Sequence, residues 1–319
     1  MDKTLLLTIA DRIRRPDFDR VLVACHRSPD GDATGSAHAL AYALRKMGKQ
    51  ARVFCPDPFG KEFSYLTEAE AGLFPFEAEH FISVDVASPE MLCDAPFVDQ
   101  IEVVLDHHRI NSVKGTLSLV APEKASCGEI VLALIDEMGV ALDAYLASAL
   151  YTAVATDTGC FRYSNTTDET HLAAARLCAA AEKGQIYWIN KAMFETKSPL
   201  QMKLEGYGAA HVNLHADGRI AFLSVPLETQ KALGATYSDL DCLINVIRQL
   251  EGVRVSIVAK EREEGVFKVS VRSEAGFDAS DFCHAFGGGG HIAAAGCTLT
   301  GEEKDVSKRL LTEAERRLS

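Results

Sequence analysis

Long apolar runs are missing from this chain of 319 residues, and no uninterrupted hydrophobic stretch is long enough to cross a bilayer. The N-terminal stretch, MDKTLLLTIADRIRRPDFDR, carries only a short apolar patch among charges, so it reads as an amphipathic helix rather than a signal peptide. Basic residues are in short supply: 33 Lys and Arg stand against 45 Asp and Glu, for a formal charge of -12. That balance argues against tight binding to long duplex nucleic acid or to an anionic membrane, both of which draw on clustered cations to displace counterions. An anionic substrate must therefore be handled locally. No pair of cysteines has the C-x-x-C spacing, and the nine present are odd in number and irregularly placed, which suits reduced thiols in a cytoplasm better than a disulfide framework or a zinc site. Internal repeats are absent, and the only low-complexity tract is the run of glycines at 287–290.

What is present is the composition of an ordinary globular protein, 47% hydrophobic and 24% charged, with length for two domains. From residue 20 to 182, short β-branched runs alternate with helical periodicity. RVLVAC (20–25), ARVFCP (51–56), FISVDVA (81–87) and IEVVLD (101–106) read as strands, and 34–47, 127–138, 143–156 and 168–182 as helices. Near-continuous apolar strands separated by helices predict an α/β domain at 1–182, a parallel sheet with helices on both faces. Ser126 and Glu129 have capping-box spacing at one helix start, with Gly139 as its stop. The segment 183–210 is more polar, broken by Pro199, and reads as a partly helical connection. Beyond it, 211–319 predicts a smaller α/β domain with strands at 218–226, 252–261 and 265–273 and helices at 236–250, 278–285 and 303–318.

Acidic and imidazole groups recur where the strands of the first domain end. His26, Asp30 and Asp32 follow the first strand, Asp85 closes the third, and Asp106, His107 and His108 close the fourth. In open α/β sheets the carboxyl ends of the strands face one crevice, so these groups are expected to converge, with Asp157 joining if its loop returns to the same edge. Taken singly, each aspartate reads more readily as a helix cap or turn former. The coincidence at several strand ends is what points to chemistry. Carboxylates crowded together repel unless cations neutralise them. A donor set of oxygens with a few imidazoles suits octahedral ions such as Mn²⁺ or Mg²⁺. Two such ions about 3.5 to 4 Å apart, sharing a carboxylate, would activate a water and clamp a phosphoryl oxygen. The expected reaction is hydrolysis of a phosphate ester or anhydride.

HRSPDGDATGS, VDVA, LDHH and ATDTGCFRYSN occur in that order, and FGGGGHIAAAGC follows near the C-terminus. In these motifs the chain resembles the DHH phosphoesterases and their glycine-rich DHH-associated substrate-binding domain, over nearly its whole length. The resemblance implies that His26, Asp30 and Asp85 hold one manganese, and that Asp32, Asp85, His107 and Asp157 hold a second, with Asp85 as the bridge. Mg²⁺ or Co²⁺ are the alternatives to Mn²⁺. Asp106 would orient a histidine, and His108 would face the substrate phosphate, stabilising charge or protonating the leaving oxygen. In the second domain Arg272 is placed for a bidentate phosphate contact. Gly288, Gly289, Gly290 and His291 would bring backbone N–H groups to an anion, helped by the N-terminus of a helix near 292–295. His284 and Arg162 are further candidates for substrate contacts.

Two short domains with no room for added nucleic-acid modules are similar to the branch of this family that acts on nano-RNA and on 3′-phosphoadenosine 5′-phosphate. The expected activity is therefore Mn²⁺-dependent hydrolysis of very short RNA oligonucleotides to mononucleotides and dephosphorylation of that bisphosphorylated nucleotide. Cyclic dinucleotides, their linear products and inorganic pyrophosphate stay open as other substrates. A non-catalytic binding protein or a metal-independent structural protein are the readings from other classes. A homodimer is one admissible assembly.

Overall fold

The apolar runs of the first half lie side by side in a single sheet. In the computed structural model, which describes residues 1–67 and 76–318, the chain divides into two units, Met1–Thr196 and Lys197–Ser319. The first contains, in order, α1 (Lys3–Arg14), β1 (Val21–Ala24), α2 (Gly31–Lys46), β2 (Ala51–Phe54), α3 (Ser64–Thr67), β3 (His80–Val84), β4 (Ile101–Asp106), β5 (Leu117–Val120), α4 (Cys127–Met138), α5 (Ala144–Asp157), α6 (Asp168–Ala180) and α7 (Gln185–Asn190). All neighbouring strands run parallel, in the order β2-β1-β3-β4-β5. The chain leaves β1 in one direction to build β2 and returns on the other side to build β3. The carboxyl ends of β1 and β3 therefore flank the point where the strand order reverses, which is where open sheets of this kind bind ligands.

One sheet face, carrying Val21, Val23, Ile82, Val84, Val103 and Leu105, is buried beneath α1, α2, α4 and α5. The other face packs Ala24, Phe81 and Val104 against the segment from Val86 to Val113, which includes the helical turns Pro89–Leu92 and Val98–Gln100. Strand β5 was not expected from the sequence. It is a short edge strand, mostly half-exposed, so its apolar signal is weak. Ser126 caps α4 by accepting from the Glu129 N–H at 3.3 Å. The return arm of the expected capping box goes elsewhere, because the Glu129 carboxylate accepts from Ala125 N–H at 3.4 Å.

Helix α2 is buried on almost every side, and its small residues make that possible. At Gly35 an added Cβ would lie 2.3 Å from the Ala149 carbonyl oxygen of α5, a distance at which backbone must move. Replacing Gly35 with Val is expected to lower stability by about 1–3 kcal/mol or more through overpacking. A denaturant titration checks this, read as a fall in the unfolding midpoint at constant slope.

The second unit comprises α8 (Pro199–His211), β6 (Asn213–His215), β7 (Ile220–Val225), α9 (Leu227–Leu233), α10 (Cys242–Ile247), β8 (Val255–Glu263), β9 (Val266–Ser273), α11 (Ala279–His284), β10 (Gly289–His291), β11 (Ala294–Thr300) and α12 (Glu303–Leu318). Its strands form a mixed sheet in the order β10-β11-β9-β8-β7-β6, in which only β7 and β8 pair in parallel. Strand alternation divides the core. Val255, Ile257, Val269 and Val271 face α11 and α12, whereas Ala221, Leu223 and Val258 face α8 and α10. Pro199 does not break a helix but opens α8 at its first turn, after the Ser198 cap. The helix expected near 292–295 is not formed. Those residues turn out of β10 and enter β11, whose Ala294 pairs with Arg272 of β9. An alanine run has high helix propensity, but seven residues of ladder against β9 override it.

Candidate metal centre

Strand ends and two helix ends bring the predicted donors of the first unit together. His26 lies just past β1, Asp30 is the N-cap of α2, Asp32 sits in the first turn of that helix, Asp85 follows β3, Asp106 ends β4 and Asp157 ends α5. Three sets have ligand atoms within 4.8 Å of one another: His26, Asp30 and Asp85; Asp32, His107 and Asp157; and Asp85, His107 and His108. The Nε2 atom of His26 is 3.6 Å from Asp85 Oδ2 and 3.8 Å from Asp30 Oδ1. The Nε2 atom of His107 is 3.4 Å from Asp157 Oδ2, 3.6 Å from Asp85 Oδ1 and 3.7 Å from Asp32 Oδ2. Such separations are long for direct hydrogen bonds. They leave space between the donors.

Asp85 is the centre of this arrangement. It is 2% exposed, its Oδ1 has no hydrogen-bond partner, and its backbone takes the left-handed conformation, φ 57°. Aspartate tolerates that region better than most residues. A buried, unsatisfied carboxylate oxygen held by a sparsely populated backbone is costly unless something absent from the polypeptide meets it. Its two oxygens face different partners, Oδ2 toward His26 and Oδ1 toward His107.

The flanking hydrogen bonds fit a cation as well. The Nδ1 atom of His26 contacts the Arg27 carbonyl at 2.7 Å and that of His107 the Lys124 carbonyl at 3.3 Å. A carbonyl only accepts, so each ring donates from Nδ1, and in the neutral imidazole Nε2 keeps its lone pair toward the carboxylates. Asp32, 1% exposed, accepts from the N–H groups of Cys127 at 2.7 Å and Gly128 at 2.9 Å, at the start of α4, and from Ser36 Oγ at 3.1 Å. Burial pushes the Asp32 carboxyl well above the ordinary range, reinforced by the charges of Asp85, Asp157 and Asp30. Asp157 is pushed up to about 7, by burial first and then by Asp85 and Asp30 against the opposing pull of His107. Burial draws His26 down, but the nearby Asp85 carboxylate, the hydrogen bond to the Arg27 carbonyl and the charge of Asp30 outweigh it and raise the ring to about 9. The donors therefore fit hard or borderline divalent ions.

Asp106 has a different role. Fully buried, it accepts on Oδ1 from the His107 backbone N–H and from His108 Nδ1, both at 2.8 Å, and on Oδ2 from Asn111 Nδ2 at 2.5 Å. The Asp106 hydrogen bond raises His108 to about 9 against the effect of burial. Because His108 Nδ1 is committed to Asp106, that atom does not serve as a ligand beside Asp85. Asn111 was not singled out from the sequence. It also donates to the Val86 carbonyl at 2.9 Å, which ties the segment after β3 to the segment after β4. The signal available was an amide three residues beyond the double histidine.

The remaining candidates belong to other elements. Arg162 is exposed on the turn after α5, its Nε donating to the Gly159 carbonyl at 2.6 Å. In the second unit Arg272 is half-buried near the end of β9, with Nη1 donating to the Val271 carbonyl at 3.0 Å. His284 ends α11, and its Nδ1 meets the Gly288 carbonyl at 2.9 Å. Gly289 and Gly290 belong to β10, where a Cβ on Gly290 would lie 2.6 Å from the Ala294 carbonyl oxygen and its φ of +146° is open only to glycine. Close strand packing thus accounts for that glycine without a ligand. The side chain of His291 lies outside the described residues.

Residues 20–154 match the model of the DHH family, N-terminal domain, and residues 219–319 that of the DHHA1 domain. A protein of Thermus thermophilus named bifunctional oligoribonuclease and PAP phosphatase NrnA is 34% identical to this chain, over 93% of it and 89% of the relative. A Bacillus subtilis protein of the same name is 26% identical, over 93% of this chain and 94% of its own. Among solved structures, an exopolyphosphatase-related protein of Bacteroides fragilis superposes with a TM-score of 0.87 at 23% identity, covering 99% of this chain and 96% of that one, a likeness of fold.

Proposed function

The chain belongs to the DHH family of phosphoesterases, and we propose that it is a Mn²⁺-dependent hydrolase that degrades very short RNA oligonucleotides to mononucleotides and dephosphorylates 3′-phosphoadenosine 5′-phosphate. The observation that carries the reading is the convergence of three donor sets on a buried Asp85 whose Oδ1 lacks a protein partner. The activities named for the Thermus thermophilus and Bacillus subtilis relatives support the choice of substrate.

His26, Asp30 and Asp85 would hold one cation, and Asp32, Asp85, His107 and Asp157 the other. When bound, the two ions supply Lewis acidity toward a phosphoryl oxygen and lower the pKa of a water. The chain's own groups do the rest. Asp106 keeps the Nδ1 proton of His108 in place, so the protonated ring can release its Nε2 proton to the leaving oxygen and remain a neutral imidazole bonded to Asp106. Arg272, the backbone of Gly288, Gly289 and Gly290, and His291 would bind a substrate phosphate, with His284 and Arg162 as further contacts. No helix among the described residues is long and apolar enough to cross a membrane. All nine cysteines are free thiols, and we place the activity in the cytoplasm on that ground.

The test is a side-by-side panel with Mn²⁺: an RNA dinucleotide, a long RNA, the bisphosphorylated nucleotide, a cyclic dinucleotide and pyrophosphate. Dinucleotide and bisphosphate are expected to be consumed fastest, and chelation should stop both. A preference for pyrophosphate or for the cyclic compound would replace this assignment.

A further inference from the structure

The first unit carries a pair of thiols that the proposed chemistry does not use. Strands β1 and β2 run parallel with Val21 opposite Ala51 and Ala24 opposite Phe54, and the Cys25 N–H continues the ladder by donating to the Phe54 carbonyl at 3.0 Å. Cys25 and Cys55 are therefore the next neighbours in register. Alternation puts them on the same sheet face as Val23 and Val53, toward the core of the unit. Neighbouring strands lie about 4.8 Å apart, inside the span of about 4.4 to 6.8 Å between Cα atoms that a disulfide bridges.

The thiols are already engaged across the two strand ends. Cys55 Sγ donates to the His26 carbonyl at 3.2 Å, Cys25 Sγ to the Phe54 carbonyl at 3.6 Å, and the two side chains interact with each other. A single buried cysteine is ordinarily a small apolar residue with a weak donor. Two that meet at adjacent strand ends form a dithiol. Cys25 is fully buried, whereas Cys55 is half-buried and open to a small solute. Cys283 and Cys297 also meet, in the second unit, but at 0% and 4% exposure neither offers that access.

We propose that Cys25 and Cys55 are an oxidation site, closed to a disulfide by a peroxide and reopened by a thiol, and that closure weakens cation binding at His26. Hydrogen peroxide oxidises Cys55 to a sulfenic acid and releases one water. The Cys25 sulfur then attacks that of Cys55, and the hydroxyl leaves with the Cys25 proton as a second water. Two thiols have lost two hydrogens and two electrons, and one peroxide has been reduced to two waters. An added thiol reverses the bond by exchange through a mixed disulfide. Closure consumes both S–H donors, so the His26 carbonyl loses its bond from Cys55 while the residue before His26 is tied to β2. Supporting contacts of this kind fix the aim of a ligating imidazole. The effect on cations rests on the functional reading above, and the disulfide does not.

The experiment treats the full chain, kept metal-free with chelator, with hydrogen peroxide, removes peroxide and chelator, and maps the product by mass spectrometry of alkylated peptides. The expected product is a peptide pair joined through Cys25 and Cys55, lighter by two hydrogens and separated by dithiothreitol. Calorimetry with Mn²⁺ should then find affinity weaker by about tenfold or more in the oxidised chain than in the reduced one, the loss that goes with a disturbed supporting contact, and recovered on reduction. Cys55→Ser keeps a donor for the His26 carbonyl, so it should fold, form no bridge and hold its Mn²⁺ affinity through peroxide treatment. Cys25→Ala keeps an apolar side chain and should accumulate the sulfenic acid at Cys55, trapped by dimedone, a signature that a packing role would not give. No bridge in the wild type, or one through other cysteines instead, overturns the site. A mapped bridge with unchanged Mn²⁺ affinity overturns the effect on His26. No Mn²⁺ binding by the reduced chain overturns the functional reading and with it the effect on cations, while a mapped bridge still stands.

Discussion

Asp85→Asn is expected to reduce kcat/KM at least roughly 10³-fold, beyond the loss from a single electrostatic contact in an active site, because the residue serves both proposed cations. Asparagine keeps the shape and tolerates the left-handed backbone at this position, so circular dichroism should report a folded chain. A second readout separates loss of metal from loss of chemistry. In the wild type, Mn²⁺ should raise the melting temperature, and the rise should grow from pH 6 to 9. Asp157 at about 7, His26 and His108 at about 9, and Asp32 are all raised in the fold. Raised groups contribute stability that is complete below their unfolded values and is lost as pH climbs through the folded ones. The metal-free protein therefore weakens across that window, and cations that replace the departing protons restore more at its upper end. Asp106, held below the usual range despite burial by His108 and Asn111, acts in the opposite sense but only in acid. In Asp85→Asn the Mn²⁺-induced rise should largely vanish. Retained turnover with an unchanged metal response would remove Asp85 from the centre of the mechanism.

His108→Gln should behave differently. Loss of a positioned general acid lowers kcat by roughly 10² to 10⁴-fold, while the Mn²⁺-induced rise in melting temperature should survive, since Nδ1 of this ring is given to Asp106 rather than to a cation. Wild-type activity should fall on the alkaline side as His108 loses its proton, at a value below the metal-free 9 because bound cations disfavour the charged ring. The variant should lack that alkaline limb. If it also loses the metal response, His108 is a ligand and the proton-donor role is wrong.

Much of the first unit was legible in the sequence. Four parallel strands announced themselves through buried β-branched runs, and the rule that strand ends share a crevice gathered His26, Asp85, Asp106 and His107. Asp157 was harder to place. Only the packing of α5 against α2, permitted at Gly35, brings the end of one helix to the start of the other. What escaped has physical causes. Strand β5 has one partner and little buried surface. The alanines of β11 carry helix propensity, and the ladder that overrules it is distant in sequence.

The two N–H groups that hold Asp32 belong to the peptide backbone of Cys127 and Gly128. Main-chain donors have no codon of their own, so apart from proline no single replacement at either position deletes one. If the cluster holds cations as proposed, a change of ion preference would have to come through side chains such as His26, Asp30 and Asp157, while the anchor of Asp32 comes with the helix itself.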